Sequence, residues 1–408
     1  RPARAGTGDH RRAGRIGGDA VMARLDEIFD LQMGKTPSRN NADYWTDGQY
    51  DWVSIADLGS YQKYVEDTKE RISALAVQES GIKSVPANTV IMSFKLSLGK
   101  TAITQEPVYT NEAIMAFIPT GKYAVLPDYF YYLFSAKDWT KGTNRAVMGT
   151  TLNKATLGAV SITVPPIDEQ HKIAAVLDKV SDLIAKRQQQ LDKLDEMIKA
   201  RFMEIFGDSE TNTKNWRVLP MSKICSVGSS KRIYQSEQSS SGVPFWRISD
   251  LTSLITTGTV TPELYIPEER YKELKTQGQV PAPGDILITS RGTLGQCYIV
   301  KVNDRFYFQD GMISWLSGYM DGVTPLYISY LFTMPGFRKQ IDSMQAGSTV
   351  AYLSITMIKK LKVMLPDIES QQQFASFVSK TEKTKTTISR SLEKLETLKK
   401  ALMQEYFG

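Results

Sequence analysis

The residues best suited to chemistry in this sequence stand in patterns that stop short of a site. Gly34-Lys35-Thr36 and Gly99-Lys100-Thr101 each supply the end of a phosphate-cradling loop. Such a loop also needs a glycine five positions earlier, so that backbone N–H groups can close around the phosphates. Phe29 and Phe94 stand there instead. No Gly-x-Gly-x-x-Gly occurs, so nothing marks a dinucleotide or methyl-donor pocket. Pro165-Pro166 lies between Val164 and Ile167, outside the Asn/Asp-Pro-Pro-Tyr/Phe setting of an amino-methyltransferase. Glu273 and Lys275 form one Glu-x-Lys of the kind found at nuclease metal sites, and a lone triplet is expected by chance. His10 and His171 are the only histidines, and His171, near Glu169 at a helix start, reads as an exposed helix residue. Cys225 and Cys297 form no Cys-x-x-Cys, which argues against a disulfide framework or a cysteine zinc site and fits a reducing cytoplasm. The expectation is a chain with no catalytic, metal or cofactor residues of its own.

What the sequence does contain is one unit written twice. Arg201-Phe202-Met203-Glu204-Ile205-Phe206-Gly207 is matched by Ala401-Leu402-Met403-Gln404-Glu405-Tyr406-Phe407-Gly408, with Phe206 and Phe407 offset by 201 positions. The same offset pairs Val164-Pro165 with Leu365-Pro366, Gln170 with Gln371, and Leu152-Asn153 with Leu353-Ser354. Upstream, Ser54-Ile55-Ala56-Asp57-Leu58 resembles Arg247-Ile248-Ser249-Asp250-Leu251, and Val85-Pro86-Ala87 resembles Val280-Pro281-Ala282. An apolar run follows in both copies, Thr89 to Ser93 and Asp285 to Thr289. Between these anchors the copies differ widely. A repeated frame with divergent loops suits two similar domains that present different surfaces.

Each copy has two parts. Residues 21–166 and 208–366 carry short β-branched and aromatic runs punctuated by Gly, Pro and Asn, which predicts α+β domains of short strands with some helix. Residues 167–207 and 367–408 predict one long helix each. The first helix has Leu177, Ile184, Leu191, Ile198 and Ile205 at a spacing of seven; the second has Phe374, Thr381, Ile388, Leu395 and Leu402. Helices of this length, roughly 60 Å at about 1.5 Å per residue, are expected to pair as a coiled coil along those seams.

Composition is that of a globular protein, with 41% hydrophobic and 23% charged residues. No apolar run is long enough to cross a membrane; the richest stretch, 124–134, is broken by Pro127 and Asp128. Residues 1–20, with five Arg, are expected to be a disordered leader or tag, and Met22 is a candidate natural start. That segment carries +3 of the formal +6, so the remaining charge permits nucleic-acid binding without establishing it.

The motifs resemble a known family. Met33-Gly34-Lys35-Thr36-Pro37-Ser38-Arg39, then Tyr44-Trp45, then Asp51-Trp52-Val53-Ser54-Ile55-Ala56-Asp57-Leu58, resembles the opening of a target recognition domain. Pro165-Pro166-Ile167-Asp168-Glu169-Gln170 leading into a long helix is similar too, as is Gly284-Asp285-Ile286-Leu287-Ile288 with Arg291-Gly292-Thr293-Leu294-Gly295. Together, from about residue 22 onward, they resemble the specificity subunit of Type I restriction–modification systems. The second copy departs from the pattern, with Gly228-Ser229-Ser230-Lys231-Arg232 at its opening and Ser370-Gln371 in place of Glu-Gln. The resemblance implies two tandem target recognition domains joined by two antiparallel helices with pseudo-two-fold symmetry, each domain reading half of a bipartite double-stranded DNA site. It also implies two methyltransferase subunits and two restriction subunits as partners. S-adenosylmethionine, ATP and magnesium would be bound by those partners.

DNA contacts call for basic and amide side chains in loops. The candidates are Lys35 and Arg39; Lys95 and Lys100; Asn144 and Arg145; Lys231, Arg232 and Tyr234; Arg247; and Arg291. Two other readings remain at this point: the specificity subunit of a two-subunit Type II enzyme, and a coiled-coil adaptor that binds only protein. The divergent loop sets argue against the adaptor.

Overall fold

The computed structural model describes residues 20–95, 97–140, 152–345 and 351–408. The chain divides into two compact units, one of Arg1–Gln188 with Arg390–Gly408 and one of Gln189–Ser389.

In chain order the first unit has strands β1 (Val21–Arg24), β2 (Phe29–Met33), β3 (Tyr50–Val53), β4 (Glu70–Ile72), β5 (Val90–Ser93), β6 (Thr101–Ile103), β7 (Tyr109–Thr110), β8 (Ile114–Pro119) and β9 (Ser161–Val164). They form a four-stranded antiparallel sheet in the order β2-β8-β5-β6, a three-stranded sheet β4-β3-β7, and the pair β1-β9. Strand β3 runs parallel to β7 and antiparallel to β4. Every residue of β5 is buried, because the sheet has an apolar core on each face. Successive side chains on a strand point to opposite faces. Val90 and Met92 accordingly join Phe29, Phe117, Phe130 and Phe134 on one side, while Ile91 joins Val53, Leu58 and Val85 on the other. The helix Pro127–Ala136, opened by a proline in its first turn, lays Phe130 5.0 Å from Phe29 and Phe134 4.5 Å from Phe117. Within the apolar stretch 124–134, Tyr129, Phe130, Tyr132, Leu133 and Phe134 are therefore core.

The second unit repeats this plan with β10 (Arg217–Pro220), β11 (Ser226–Gly228), β12 (Val243–Trp246), β13 (Tyr265–Ile266), β14 (Ile286–Thr289), β15 (Cys297–Ile299), β16 (Tyr307–Phe308), β17 (Ile313–Ser317) and β18 (Lys362–Leu365). The sheets are β11-β17-β14-β15, β13-β12-β16 and β10-β18. The parallel pairing of β3 with β7 recurs at the equivalent place as β12 with β16. Strand β14 again divides its side chains, Ile286 and Ile288 to one core and Leu287 to another with Trp246 and Phe308.

Two forty-residue helices, Ile167–Phe206 and Ile368–Phe407, follow the domains. In the first unit, Ile173 and Leu177 near the start of the first helix share a core with Leu402, Met403, Tyr406 and Phe407 from the end of the second. In the second unit, Ile198, Phe202 and Phe206 from the end of the first helix meet Phe374 and Val378 from the start of the second. Start meets end in each unit, which is the antiparallel sense. Leu177, Ile198, Phe374 and Thr381 are buried; Ile184, Leu191, Ile205, Ile388, Leu395 and Leu402 are half-buried. Phe202 and Phe206, outside the spacing of seven, are fully buried against Tyr327 and Phe374. The buried stripe shifts there because the helix packs on a domain as well as on the other helix. Among the described residues no helix is long and apolar enough to cross a membrane.

Candidate nucleic-acid interface

Two hairpin loops share one internal geometry. The first joins β5 to β6 through residues 94–100 and the second joins β14 to β15 through 290–296. In the first, the Ser93 hydroxyl donates to the Ser97 carbonyl and accepts from the Lys100 N–H at 3.0 Å. In the second, Thr289 Oγ1 donates to the Thr293 carbonyl at 2.5 Å and accepts from the Gln296 N–H at 3.0 Å. The Gly99 N–H reaches the Ser93 carbonyl at 2.9 Å, and the Gly295 N–H reaches the Thr289 carbonyl at 2.8 Å. Leu152 N–H donates to the Phe94 carbonyl and Leu353 N–H to the Ser290 carbonyl. Each turn depends on a left-handed glycine, Gly99 with φ 82° and Gly295 with φ 74°. A Cβ there would come within 2.8 Å of Trp139 or of the Arg338 guanidinium. Position by position, Lys95 in the first loop corresponds to Arg291 in the second, and Lys100 to Gln296.

Among the described residues, neither Lys95 nor Arg291 has a carboxylate ion-pair partner, and each lies by an aromatic ring. The Lys95 ammonium is 5.1 Å from the Phe94 ring centre and the Arg291 guanidinium is 4.9 Å from that of Tyr352. Lys100 is exposed, its side chain close over Gly59.

The other candidates are held differently. Arg39 stacks over Trp45 at 3.6 Å and donates to Glu70 at 2.8 Å. That hydrogen bond raises the Arg39 pKa and holds the Glu70 carboxyl below its ordinary range. Arg232 pairs with Asp310 at 2.9 Å, and Arg247 with Glu263 at 2.8 Å. Lys35 donates from its ammonium to the Ser80 carbonyl. Lys231 lies 3.5 Å from the Gln277 amide oxygen, and Tyr234 is exposed. Asn144 and Arg145 lie outside the described residues. The structure thus separates arginines paired with carboxylates within the fold from Lys95 and Arg291, which have no such pair among the described residues. The sequence pattern did not distinguish these classes for Arg39 and Arg232, because their acids lie 31 and 78 residues away along the chain.

The remaining chemical candidates have local explanations. Gly34 is small because the backbone of Thr110 and Asn111 passes against it, and Thr36 bonds to Glu112 and Asn111. Glu273 is paired with Arg270 at 2.6 Å, and His171 is exposed. Burial pushes the Cys225 thiol up to about 12 and the Cys297 thiol upward as well, so neither is disposed to act as a thiolate. Among the described residues, no three His, Cys, Asp or Glu side chains are grouped as a metal site would require.

Sequence reasoning missed one cluster. Lys63 pairs with Asp128 at 2.6 Å and with Asp178, joining a loop to the helix Pro127–Ala136 and to the first long helix. Tyr132 donates to Asp178 at 2.7 Å. No spacing in the sequence connects these residues.

Comparison with known proteins agrees with the repeated architecture. The family described as Type I restriction modification DNA specificity domain matches residues 18–196 and again 213–397. The chain is 25% identical over 389 residues to the Type I restriction enzyme MjaIX specificity subunit of Methanocaldococcus jannaschii, covering 90% of this chain and 87% of that one. It is 29% identical over 175 residues to the Type I restriction enzyme EcoR124I/EcoR124II specificity subunit of Escherichia coli, covering 41% and 42%. In fold it is similar to the S subunit of a Type I restriction–modification system from M. genitalium, with TM-score 0.56, 14% identity and 98% of each chain covered. It is also similar to a chain from a solved type I R-M system assembly, with TM-score 0.60, 16% identity and coverage of 97% and 99%. With both domain matches falling on the two repeated units, the chain belongs to the family of Type I restriction modification DNA specificity domains.

Proposed function

We propose that this protein is the sequence-specific DNA-binding subunit of a Type I restriction–modification complex, and that each unit reads one half of a bipartite site. The observation that carries the reading is the repeated nine-strand frame, with the same strand orders and one parallel pairing at the same place in each unit, bearing unlike loops. An asymmetric split target needs two readers of one build and different surfaces. Two relatives that cover 90% and 95% of this chain carry Type I names, which disfavours the two-subunit Type II alternative. The chain itself carries out no turnover. Two methyltransferase subunits supply S-adenosylmethionine chemistry, two restriction subunits supply ATP- and magnesium-dependent cleavage, and the assembly works on DNA in the cytoplasm.

The test is to map modified bases in DNA from cells expressing the chain with its cognate partners. A split sequence with a fixed spacer is expected. A continuous target, or modification without sequence preference, would refute the reading. Purified chain alone is expected to neither cleave nor methylate DNA with ATP, magnesium and S-adenosylmethionine supplied.

A further inference from the structure

We infer that the two equivalent hairpin loops grip the DNA sugar–phosphate backbone through Lys95 and Arg291, and that neither residue reads a base. The inference rests on the proposed DNA-reading function and divides its labour. If the two units read different half-sites, a feature that both units keep cannot be what tells those half-sites apart. It must meet what all DNA has in common, which is the regularly spaced phosphates. Phosphate contacts fix orientation and register, and base-edge contacts carry sequence information.

The loops satisfy that description closely. Their hydroxyl brace, left-handed glycine and anchoring to Leu152 or Leu353 are the same in each unit, although the residues between differ. Each places one cation at the second position after its strand, without a carboxylate partner among the described residues. Lysine in one and arginine in the other keeps the charge and changes the donor geometry. A base-reading arginine depends on its two-pronged fork, whereas a phosphate accepts either cation. The contrast with Arg39, Arg232 and Arg247 is chemical: those are neutralised by Glu70, Asp310 and Glu263. Lys100, whose counterpart is Gln296, lacks this equivalence and is left free to differ between half-sites.

The experiment uses the full chain assembled with its modification partner and measures DNA affinity across a salt series. One duplex carries the mapped target and one lacks it. Lys95→Gln and Arg291→Gln should each weaken both duplexes by the same factor, several-fold. Each should also lower the slope of log affinity against log salt by about 0.9, the counterion share of one phosphate contact. Lys95→Arg and Arg291→Lys should restore both quantities, and the bases modified should be unchanged in all four variants. A salt slope unaltered by neutralisation, a failure of the charge-keeping swaps to restore it, or an altered base preference at any position would overturn the inference. Should the wild-type complex show no preference for the target duplex, the proposed function fails as well. Normal wild-type recognition with salt slopes unmoved in the variants would sink the phosphate grip alone.

Discussion

Gln170 and Gln371, 201 residues apart, close the same hydrogen-bonded latch in two different domains. The Gln170 amide accepts from Leu126 N–H at 2.9 Å and donates to the carbonyls of Ala124 and Pro165, each at 2.9 Å. The Gln371 amide accepts from Thr324 N–H at 2.8 Å and donates to the carbonyls of Gly322 and Pro366, at 2.8 and 3.0 Å. Both side chains are almost wholly buried, at 0% and 1% exposure. Each latch ties the first turn of a long helix to the loop that opens a domain helix. A primary amide suits this place because it offers an acceptor and two donors at once.

Gln170→Glu is therefore expected to destabilise the first unit by about 2–4 kcal/mol at neutral pH, since a carboxylate would face two carbonyls and leave them without donors. Burial and those carbonyls should raise the pKa of the new acid. The defect should then ease as pH falls and the protonated acid regains one donor. Calorimetry of variant and wild type at neutral and mildly acidic pH checks this. An equal deficit at both would show that the amide's donors are not what matters.

The Lys63 cluster predicts a second pH dependence. Burial works against the Asp128 carboxylate, but the Lys63 ammonium and the Tyr64 hydroxyl outweigh it and hold its pKa below the ordinary value. Tyr131, Tyr132 and Lys399 also border the cluster. A carboxyl depressed on folding stabilises the native state fully above its unfolded pKa, about 4, and ceases to do so as pH falls through the folded value. Asp128→Asn should cost about 1–3 kcal/mol at pH 7. The gap to wild type should narrow below about pH 4. Thermal midpoints across that range measure it, and a gap that widens on acidification would be the wrong sign.

Modularity is tested by exchange. Replacing residues 22–166 with the matching domain of a relative should change one half of the modified sequence and leave the other intact. A change in both halves would show that the readers are not independent.

Helix length is tested by insertion. Four residues added near Gln189 lengthen the first helix by about 6 Å and turn its apolar seam by only about 40°. At about 3.4 Å per base pair, the spacer between half-sites should grow by one or two base pairs with the flanking bases unchanged. Two residues turn the seam by about 200° and should abolish activity. An active four-residue variant with its original spacer would show that the helices do not set the distance.

Much of this architecture could be read from the chain. The offset of 201 located both helices because helix periodicity is local, and the paired anchors Val85-Pro86-Ala87 and Val280-Pro281-Ala282 marked the repeated frame. The cations were harder. Arg39 finds its acid 31 residues away and Arg232 finds one 78 away, and only the folded sheet brings them together. Phe202 and Phe206 eluded the spacing of seven for a related reason. Their side of the helix is chosen by Tyr327 and Phe374, not by helix periodicity alone.

The first unit draws its core from both ends of the sequence, with Leu402, Met403, Tyr406 and Phe407 seated beside Tyr129 and Leu177. This sets an order of events during synthesis. The first 188 residues leave the ribosome about 200 residues before those four side chains arrive. At about 5–20 residues per second that is a delay of roughly 10–40 s. Through that interval the nascent domain carries an uncovered apolar face. The second unit, by contrast, is one unbroken stretch of chain and can close as it emerges, so the domain made first is the domain finished last.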